Sequence, residues 1–392
     1  MTHPATQTPY VAIACGGTGG HLFPGLAIAH QLKQRGCDVA LLISPKDVDQ
    51  QAVKSAPGTD IFKLPAVALQ NGNYLDFAAS FVKSFFASRK IFNRRWPVAV
   101  LAMGGFTSAP PVFAAKDSGI KTFLHESNTI PGRANRILSR FVDEAFVGFP
   151  EAGKRLKTRR IIATGTPVRP QFQPQDAAKC RSALGLDPDL PAILVVGGSQ
   201  GAHGLNEMIL SALPLLAEKN WQWLHLTGAK DFDKVKAAYA ERGVKAVVKP
   251  FLVEMDLALG AATAAVSRSG ASSLAEIAAM QLPSLLVPFP DAVDNHQFFN
   301  GSAFEKTGAA KLLEQRKATP GLVAEILNEL VEDEVARSEI QNALAQWHEP
   351  RAAEQIAEAI LQAVARAQES RTAKKSACSC GCASGKAKHA AS

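Results

Sequence analysis

Several short stretches of this chain hold residue types that can do chemistry. Gly16-Gly17-Thr18-Gly19-Gly20-His21 lies between a predicted strand and a predicted helix. Glycines there let a backbone approach a ligand closely, and the N–H groups of a helix start favour an anion such as a phosphate. Four glycines in five residues exceed what a tight turn needs. The spacing is not G-x-G-x-x-G, because the sixth position from Gly17 is Leu22. No convincing ribose-binding acid ends the second strand, so the pattern supports a dinucleotide site only weakly. Gly104-Gly105-Phe106-Thr107-Ser108-Ala109-Pro110 and Gly197-Gly198-Ser199-Gln200-Gly201 are two further loops of this kind. Three such loops at the carboxyl ends of predicted strands point to one ligand-binding cleft.

Polar clusters accompany them. His125-Glu126-Ser127-Asn128 follows the predicted strand Lys121–Leu124. His296-Gln297 and Asn300 lie on a predicted helix, with Gln297 and Asn300 on one face, and surface solvation explains them equally well. Arg268-Ser269-Gly270-Ala271-Ser272-Ser273-Leu274-Ala275-Glu276 begins a helix after a strand. The Glu276 carboxylate could match the helix dipole or accept hydrogen bonds from a ribose diol, and pattern alone leaves both open.

The elements that must position these groups alternate short apolar runs with helical stretches. Tyr10–Cys15, Val98–Met103, Lys121–Leu124 and Glu144–Val147 are strands of the first half. Ala192–Val196, Trp221–Leu226, Ala264–Val266 and Ser284–Val287 are strands of the second. Continuous apolar strands with intervening helices predict α/β architecture, with two Rossmann-like, doubly wound parallel sheets. The expected division is an N-terminal half over 1–168 and a C-terminal half over 169–348, with the Pro-rich stretch Gly165–Pro174 between them. Residues 351–367 carry Ile356, Ile360 and Val364 every four, the spacing of an amphipathic helix. The basic, Cys-containing tail 371–392 reads as disordered. Its Cys378, Cys380 and Cys382 could bind a soft metal, although His389 is the only other nearby ligand.

Charge separates the halves. Of 392 residues, 1–169 hold 21 basic and 10 acidic residues, whereas 170–345 hold 15 and 21. An apolar content of 47% with 20% charged residues excludes disorder for most of the chain. No apolar run reaches the roughly 20 residues that span a bilayer. The first residues lack a basic n-region, which argues against a secretory signal, and the scattered Cys15, Cys37 and Cys180 do not form a disulfide framework. A cytosolic protein is expected. Within 74–96, Phe77, Phe81 and Phe85 recur at helical spacing beside Lys83, Arg89, Lys90, Arg94 and Arg95. Aromatic residues with Lys and Arg suit a helix lying on an anionic membrane surface, although the spacing fits a core-facing helix as well. No nucleic-acid-binding motif accompanies the charge, so nucleic acid is not an expected partner.

Taken together, GGTGGH (16–21), GGFTSAP (104–110), HESN (125–128), GTPVRP (165–170), GGSQGA (197–202), RSGASSLAE (268–276) and the His-Gln and Asn of 296–300 resemble the MurG family of UDP-N-acetylglucosamine transferases. The resemblance runs from about Val11 to Ala367. It implies a GT-B glycosyltransferase fold, two Rossmann-like domains facing across a cleft, with helix 351–367 returning to the first. The implied reaction is inverting transfer of N-acetylglucosamine from its UDP donor to the 4-hydroxyl of the muramoyl sugar of undecaprenyl-diphosphate-linked muramoyl-pentapeptide (lipid I). This makes lipid II for peptidoglycan. It implies a peripheral protein on the cytoplasmic face of the bacterial membrane, with no cofactor and no metal. Implied partners are UDP-N-acetylglucosamine, lipid I, the anionic membrane surface and cell-wall and division proteins.

By position, the resemblance assigns donor contacts to Thr18, Gly19, Gly20, Asn128, Arg169, Ser199, Leu252, Ala271, Ser272, Ser273, Leu274, Ala275, Glu276 and Gln297, with Asn300 supporting the sugar end. It places His21, His125 and Glu126 around the reacting centre. His21 is the first candidate for the base that deprotonates the acceptor hydroxyl, because an imidazole titrates near pH ~6.5. Glu126 is the second, as base or as the group orienting an imidazole. Helix starts and Arg169 would stabilise the leaving diphosphate. Thr166, His203 and Ser127 depart from the family's usual Asn, Arg and Gln. Other readings are a diacylglycerol sugar transferase of similar fold, a UDP-N-acetylglucosamine epimerase, and a non-catalytic nucleotide-sugar sensor.

Overall fold

The structure, a computed structural model, describes residues 8–45, 58–66, 74–198 and 201–383, with side chains as far as residue 369. Its first half runs β1 (Tyr10–Ala14), α1 (Gly19–Gln34), β2 (Asp38–Ile43), β3 (Asp60–Lys63), α2 (Tyr74–Arg94), β4 (Ala99–Ala102), α3 (Ala109–Asp117), β5 (Lys121–Glu126), α4 (Arg133–Leu138), β6 (Glu144–Val147), α5 (Pro150–Gly153) and β7 (Ile161–Ala163). These strands form a seven-stranded parallel sheet in the order β3-β2-β1-β4-β5-β6-β7.

The second half runs α6 (Ala177–Leu184), β8 (Ala192–Val196), α7 (His203–Leu216), β9 (Gln222–Leu226), α8 (Phe232–Glu241), β10 (Ala246–Lys249), α9 (Met255–Ala261), β11 (Ala264–Ser267), α10 (Ala271–Met280), β12 (Ser284–Leu286), α11 (His296–Lys306), β13 (Lys311–Leu312), α12 (Pro320–Glu332), α13 (Glu334–Trp347) and α14 (Ala352–Ala383). Its six-stranded sheet, also parallel, has the order β10-β9-β8-β11-β12-β13. In both sheets the order reverses beside the first strand, which opens a crevice at the strands' carboxyl ends.

Both faces of the first sheet are covered, which is why its strands are apolar without alternation. Along β1, Val11 and Ile13 pack toward α1 and α14, while Tyr10, Ala12 and Ala14 pack beneath Phe92 of α2. The C-terminal helix does return to the first half. Ile356, Ala357, Ile360, Ala363 and Val364 of α14 join the core that α1 covers. Arg35, which ends α1, also bonds Glu354 and Glu358, at 3.0 Å each. Expected to end near 367, this helix continues to Ala383, through part of the tail read as disordered. The side chains of Cys378, Cys380 and Cys382, and all of His389, lie outside what the structure describes.

Helix α2 corrects part of the aromatic-stripe expectation. Its buried stripe is Ser80, Ser84, Ser88 and Phe92, and the three small serines let the helix lie close to α3. Phe77, Phe81 and Phe85 sit half-buried at the edge of that contact. Phe81 leans on Phe113 and Phe85 on Phe86. The apolar groups that face outward are Leu75, Val82 and Phe86. Two of the basic residues are committed elsewhere. Arg89 pairs with Asp117 at 2.9 Å, and Arg95 pairs with Asp38 and stacks on the Tyr10 ring. Lys83, Lys90 and Arg94 remain exposed. No helix among the described residues is long and apolar enough to cross a membrane.

Candidate active site

The crevices of the two sheets meet where α1 and α10 begin. Neither helix start has a side-chain cap, so first-turn N–H groups are left to meet an anion. Pro24 lies inside α1 and has no N–H to give the carbonyl four residues before it, which is that of Gly20. Ser272 Oγ, at the start of α10, donates to this Gly20 carbonyl at 3.0 Å. A proline in one half thus leaves an acceptor for a serine of the other. Thr18 precedes α1 in extended conformation and bonds the His21 Nδ1 at 3.1 Å. The His21 ring rests on Gly104 and Gly105, both in the left-handed region (φ +110° and +77°). A Cβ on either would come within 3.0 Å of the ring. Only a glycine pair gives both that backbone turn and that space.

His125 and Glu126 stand differently from the expectation. Strand β5 continues through both residues and carries them into the interior. His125 is fully buried, with Nε2 at 3.2 Å from the Gly165 carbonyl and Nδ1 at 3.3 Å from Ser127 Oγ. Donation to that carbonyl leaves Nδ1 to accept from the serine. Burial pushes the imidazole pKa down to about 4, so it is neutral at pH 7. The Glu126 carboxylate accepts four hydrogen bonds. Asn128 N and Nδ2 reach Oε1 at 2.9 and 3.0 Å, and Gly132 N and Asn135 Nδ2 reach Oε2 at 2.9 and 2.8 Å. A carboxylate so occupied shapes the loop 127–135 and has no lone-pair site left for a substrate proton. Both residues position the loop 127–135.

Asn300 extends this network across the crevice. It is fully buried; Oδ1 accepts from Thr129 N and Oγ1, while Nδ2 donates to Asn128 Oδ1 and the Ser269 carbonyl. It therefore supports the site by orienting Asn128, since all four of its hydrogen-bonding positions are filled. Gln297 is half-exposed and accepts from Phe289 N at 2.9 Å. Asn135 and Thr129 take part without having been singled out, because a single Asn or Thr carries no distinguishing spacing.

Arg169 and Glu276 form a pair at 3.5 Å, each side chain 15% exposed. The guanidinium stacks between the rings of Phe23 and Phe172, at 4.4 and 4.8 Å, which holds it against Glu276. Burial raises the Glu276 pKa to about 7, and Arg169 offsets only part of that rise. Along α10, Ser272, Ser273, Ala275 and Glu276 are partly exposed. Ala271, Leu274 and Leu252 are buried. Ser199 lies outside the described residues.

A buried polar chain lies behind Gly201. Gly201 (φ +74°) packs so tightly that a Cβ would meet the Thr227 carbonyl at 2.3 Å. Behind it, His225 Nε2 bonds Asn206 Oδ1 at 3.0 Å and Nδ1 bonds Tyr239 Oη at 3.1 Å. Asn206 Nδ2 donates to the Thr227 carbonyl and to Asp231, which also pairs with His203 at 3.1 Å. Burial lowers the His225 pKa to about 3. Arg268 is buried beside this region, and its guanidinium donates to the Val287 and Pro288 carbonyls and to Gln315. Among the described residues, no group of three or more His, Cys, Asp or Glu side chains gathers as metal ligands do.

Sequence comparison now places this geometry. Residues 11–147 match the glycosyltransferase family 28 N-terminal domain and residues 192–377 its C-terminal domain. The chain belongs to the MurG branch of glycosyltransferase family 28. It is 34% identical over 361 residues to a protein of Anaeromyxobacter sp. (strain K), covering 90% of this chain and 93% of that one. It is 36% identical over 373 residues to one of Xanthomonas axonopodis pv. citri, covering 92% and 83%. Both relatives are named UDP-N-acetylglucosamine--N-acetylmuramyl-(pentapeptide) pyrophosphoryl-undecaprenol N-acetylglucosamine transferase. MurG of Acinetobacter baumannii superposes with a TM-score of 0.72 at 28% identity, covering 91% of this chain and all of that one. A UDP-N-acetylglucosamine 2-epimerase superposes at 0.69 with 13% identity, a likeness of fold alone. Within this family the GT-B arrangement of two parallel sheets is as expected.

Proposed function

We propose that this glycosyltransferase moves N-acetylglucosamine from its UDP donor to the muramoyl 4-hydroxyl of lipid I, with inversion. The observation carrying this reading is the meeting of the two uncapped helix starts at Gly20 and Ser272. It puts His21, beside the acceptor half, in one crevice with Glu276, on the donor half. His21 takes the acceptor proton. Glu276, once the ribose diol displaces Arg169, accepts from the diol, and the released guanidinium meets the developing charge of the leaving diphosphate. The helix starts carry the rest of that charge, without a cofactor or metal. Transfer of labelled N-acetylglucosamine to a lipid I analogue tests the reading. No transfer, or release of a 2-epimer without acceptor, would overturn it. Turnover is expected to survive chelation by EDTA; loss that Mg²⁺ restores would contradict the metal-free assignment.

The same reading makes the protein peripheral on the cytoplasmic membrane face, with wall-synthesis and division proteins as further partners. Leu75, Val82 and Phe86 supply apolar contact there, and Lys83, Lys90 and Arg94 supply charge. Replacing Val82, Lys83, Phe86 and Lys90 together by Ser should abolish sedimentation with anionic vesicles at low salt. Unchanged sedimentation would reject this face.

A further inference from the structure

Exposed apolar side chains stand on both halves next to an ion pair that joins them. On the first half, the rings of Phe81, Phe113 and Phe141 form a chain, with centroids 6.0 and 5.0 Å apart, leading from α2 past α3 to the turn after α4. There Phe141 is 42% exposed and Ile137 52%. Beside Ile137, Arg136 bonds the Asp294 carboxylate of the second half, so the two halves touch at this point and the two charges cancel. Asp294 and Asn295 are both left-handed, at φ +52°, a conformation that costs non-glycine residues energy and marks a shape the surroundings impose. This turn leaves Val293 59% exposed just before α11, whose Phe299 is 44% exposed. Exposed apolar side chains thus flank a neutralised ion pair on both sides.

Resting on the transfer reading above, we propose that the acceptor's polyprenyl chain leaves the crevice over these side chains, gripped by Val293 and Phe299 of the second half as well as Ile137 and Phe141 of the first. A hydrocarbon chain tied to a diphosphate inside the crevice must exit through its mouth. The Phe81–Phe113–Phe141 rings run from the first-half lip back to α2, the helix that would meet the membrane. A mouth serving only polar ligands has no use for apolar groups on both lips.

The test compares two lipid I analogues, one with a ten-carbon chain and one with the full polyprenyl chain, each in detergent. The Val293→Ser, Phe299→Ser double variant should raise KM for the long-chain acceptor by about tenfold, the scale of losing two partly buried apolar contacts. KM for the short-chain acceptor, KM for donor and Tm should stay at wild-type values. An equal rise for both acceptors, no rise for either, or a rise in donor KM would overturn the proposal. So would loss of anionic-vesicle binding without a chain-length effect, which would assign these residues to bilayer lipids. Wild-type transfer to the short-chain acceptor checks the transfer reading separately; its absence would remove the ground for both.

Discussion

Two polar clusters border the same crevice, and they use similar residues to opposite ends. His125, Glu126, Asn128 and Asn300 are buried or nearly so, and every acceptor site of Glu126 and Asn300 is filled by this chain's own donors. Thr18 and His21 sit at the start of α1, partly exposed on a bare glycine pair. By residue type the first cluster is the stronger candidate for acid–base work. Burial, and the four filled acceptor sites of Glu126, reverse that ranking. A group that must exchange a proton with substrate has to be within its reach. The first cluster fixes shape, and the transfer reading assigns the reaction to the partly exposed second.

The sharpest way to break this contrast is to remove its reactive member. His21→Ala should lower turnover by about 10²-fold or more with Tm little changed, general-base contributions being typically 10²–10⁴-fold. Near wild-type turnover at saturating donor would return the role of base to another group. Glu126→Gln should do the reverse. Its amide would aim a donor at two donors that now reach a carboxylate oxygen, costing about 3 kcal/mol or more in stability. Turnover measured well below the lowered Tm should stay within about tenfold of wild type. A 10²-fold turnover loss in a variant with unchanged Tm would make Glu126 a reacting group after all.

Asn300 tests whether the quiet cluster reaches the donor. Asn300→Ala frees the Asn128 amide from its partner in the second half. Donor KM should rise roughly tenfold, the worth of one well-made hydrogen bond, with turnover at saturation changed less. Unchanged donor KM would confine Asn300 to packing.

How much of this was legible in the sequence follows from the same contrast. The strands were readable because β1, β4, β8 and β11 are buried on both faces and so are continuous apolar runs. The edge strand β3, Asp-Ile-Phe-Lys, is mostly exposed and carries no such signal. The glycine loops were legible as sites because glycine's freedom is a property of one residue. The roles of His125 and Glu126 were not, because their burial depends on β5 running two residues further than its apolar run suggests. The stripe on α2 misled for a related reason. Three small serines take most of the buried stripe, and a hydrophobicity pattern does not register them. The function of Pro24 needed the other half of the molecule, since only Ser272 shows what its missing N–H leaves behind.

The smallest expected effect separates Glu276 from both clusters, because its carboxyl is neither filled nor fully exposed. Burial holds its pKa at about 7, above the ordinary carboxyl value. A raised folded-state pKa favours the protonated form, so its contribution to stability is present at low pH and is lost as pH rises through about 7. Donor binding runs the other way, since only the ionised carboxylate accepts from both ribose hydroxyls. Donor KM should therefore rise about fourfold from pH 8 to pH 6.5, following the ionised fraction of one group near pKa 7. Glu276→Gln should show a higher KM at pH 8 and lose that slope. Isothermal titration with UDP at the two pH values, on both proteins, reads the effect without turnover. A slope that persists in the Gln variant would move the titration to another group and leave Arg169 holding Glu276 in the bound state too.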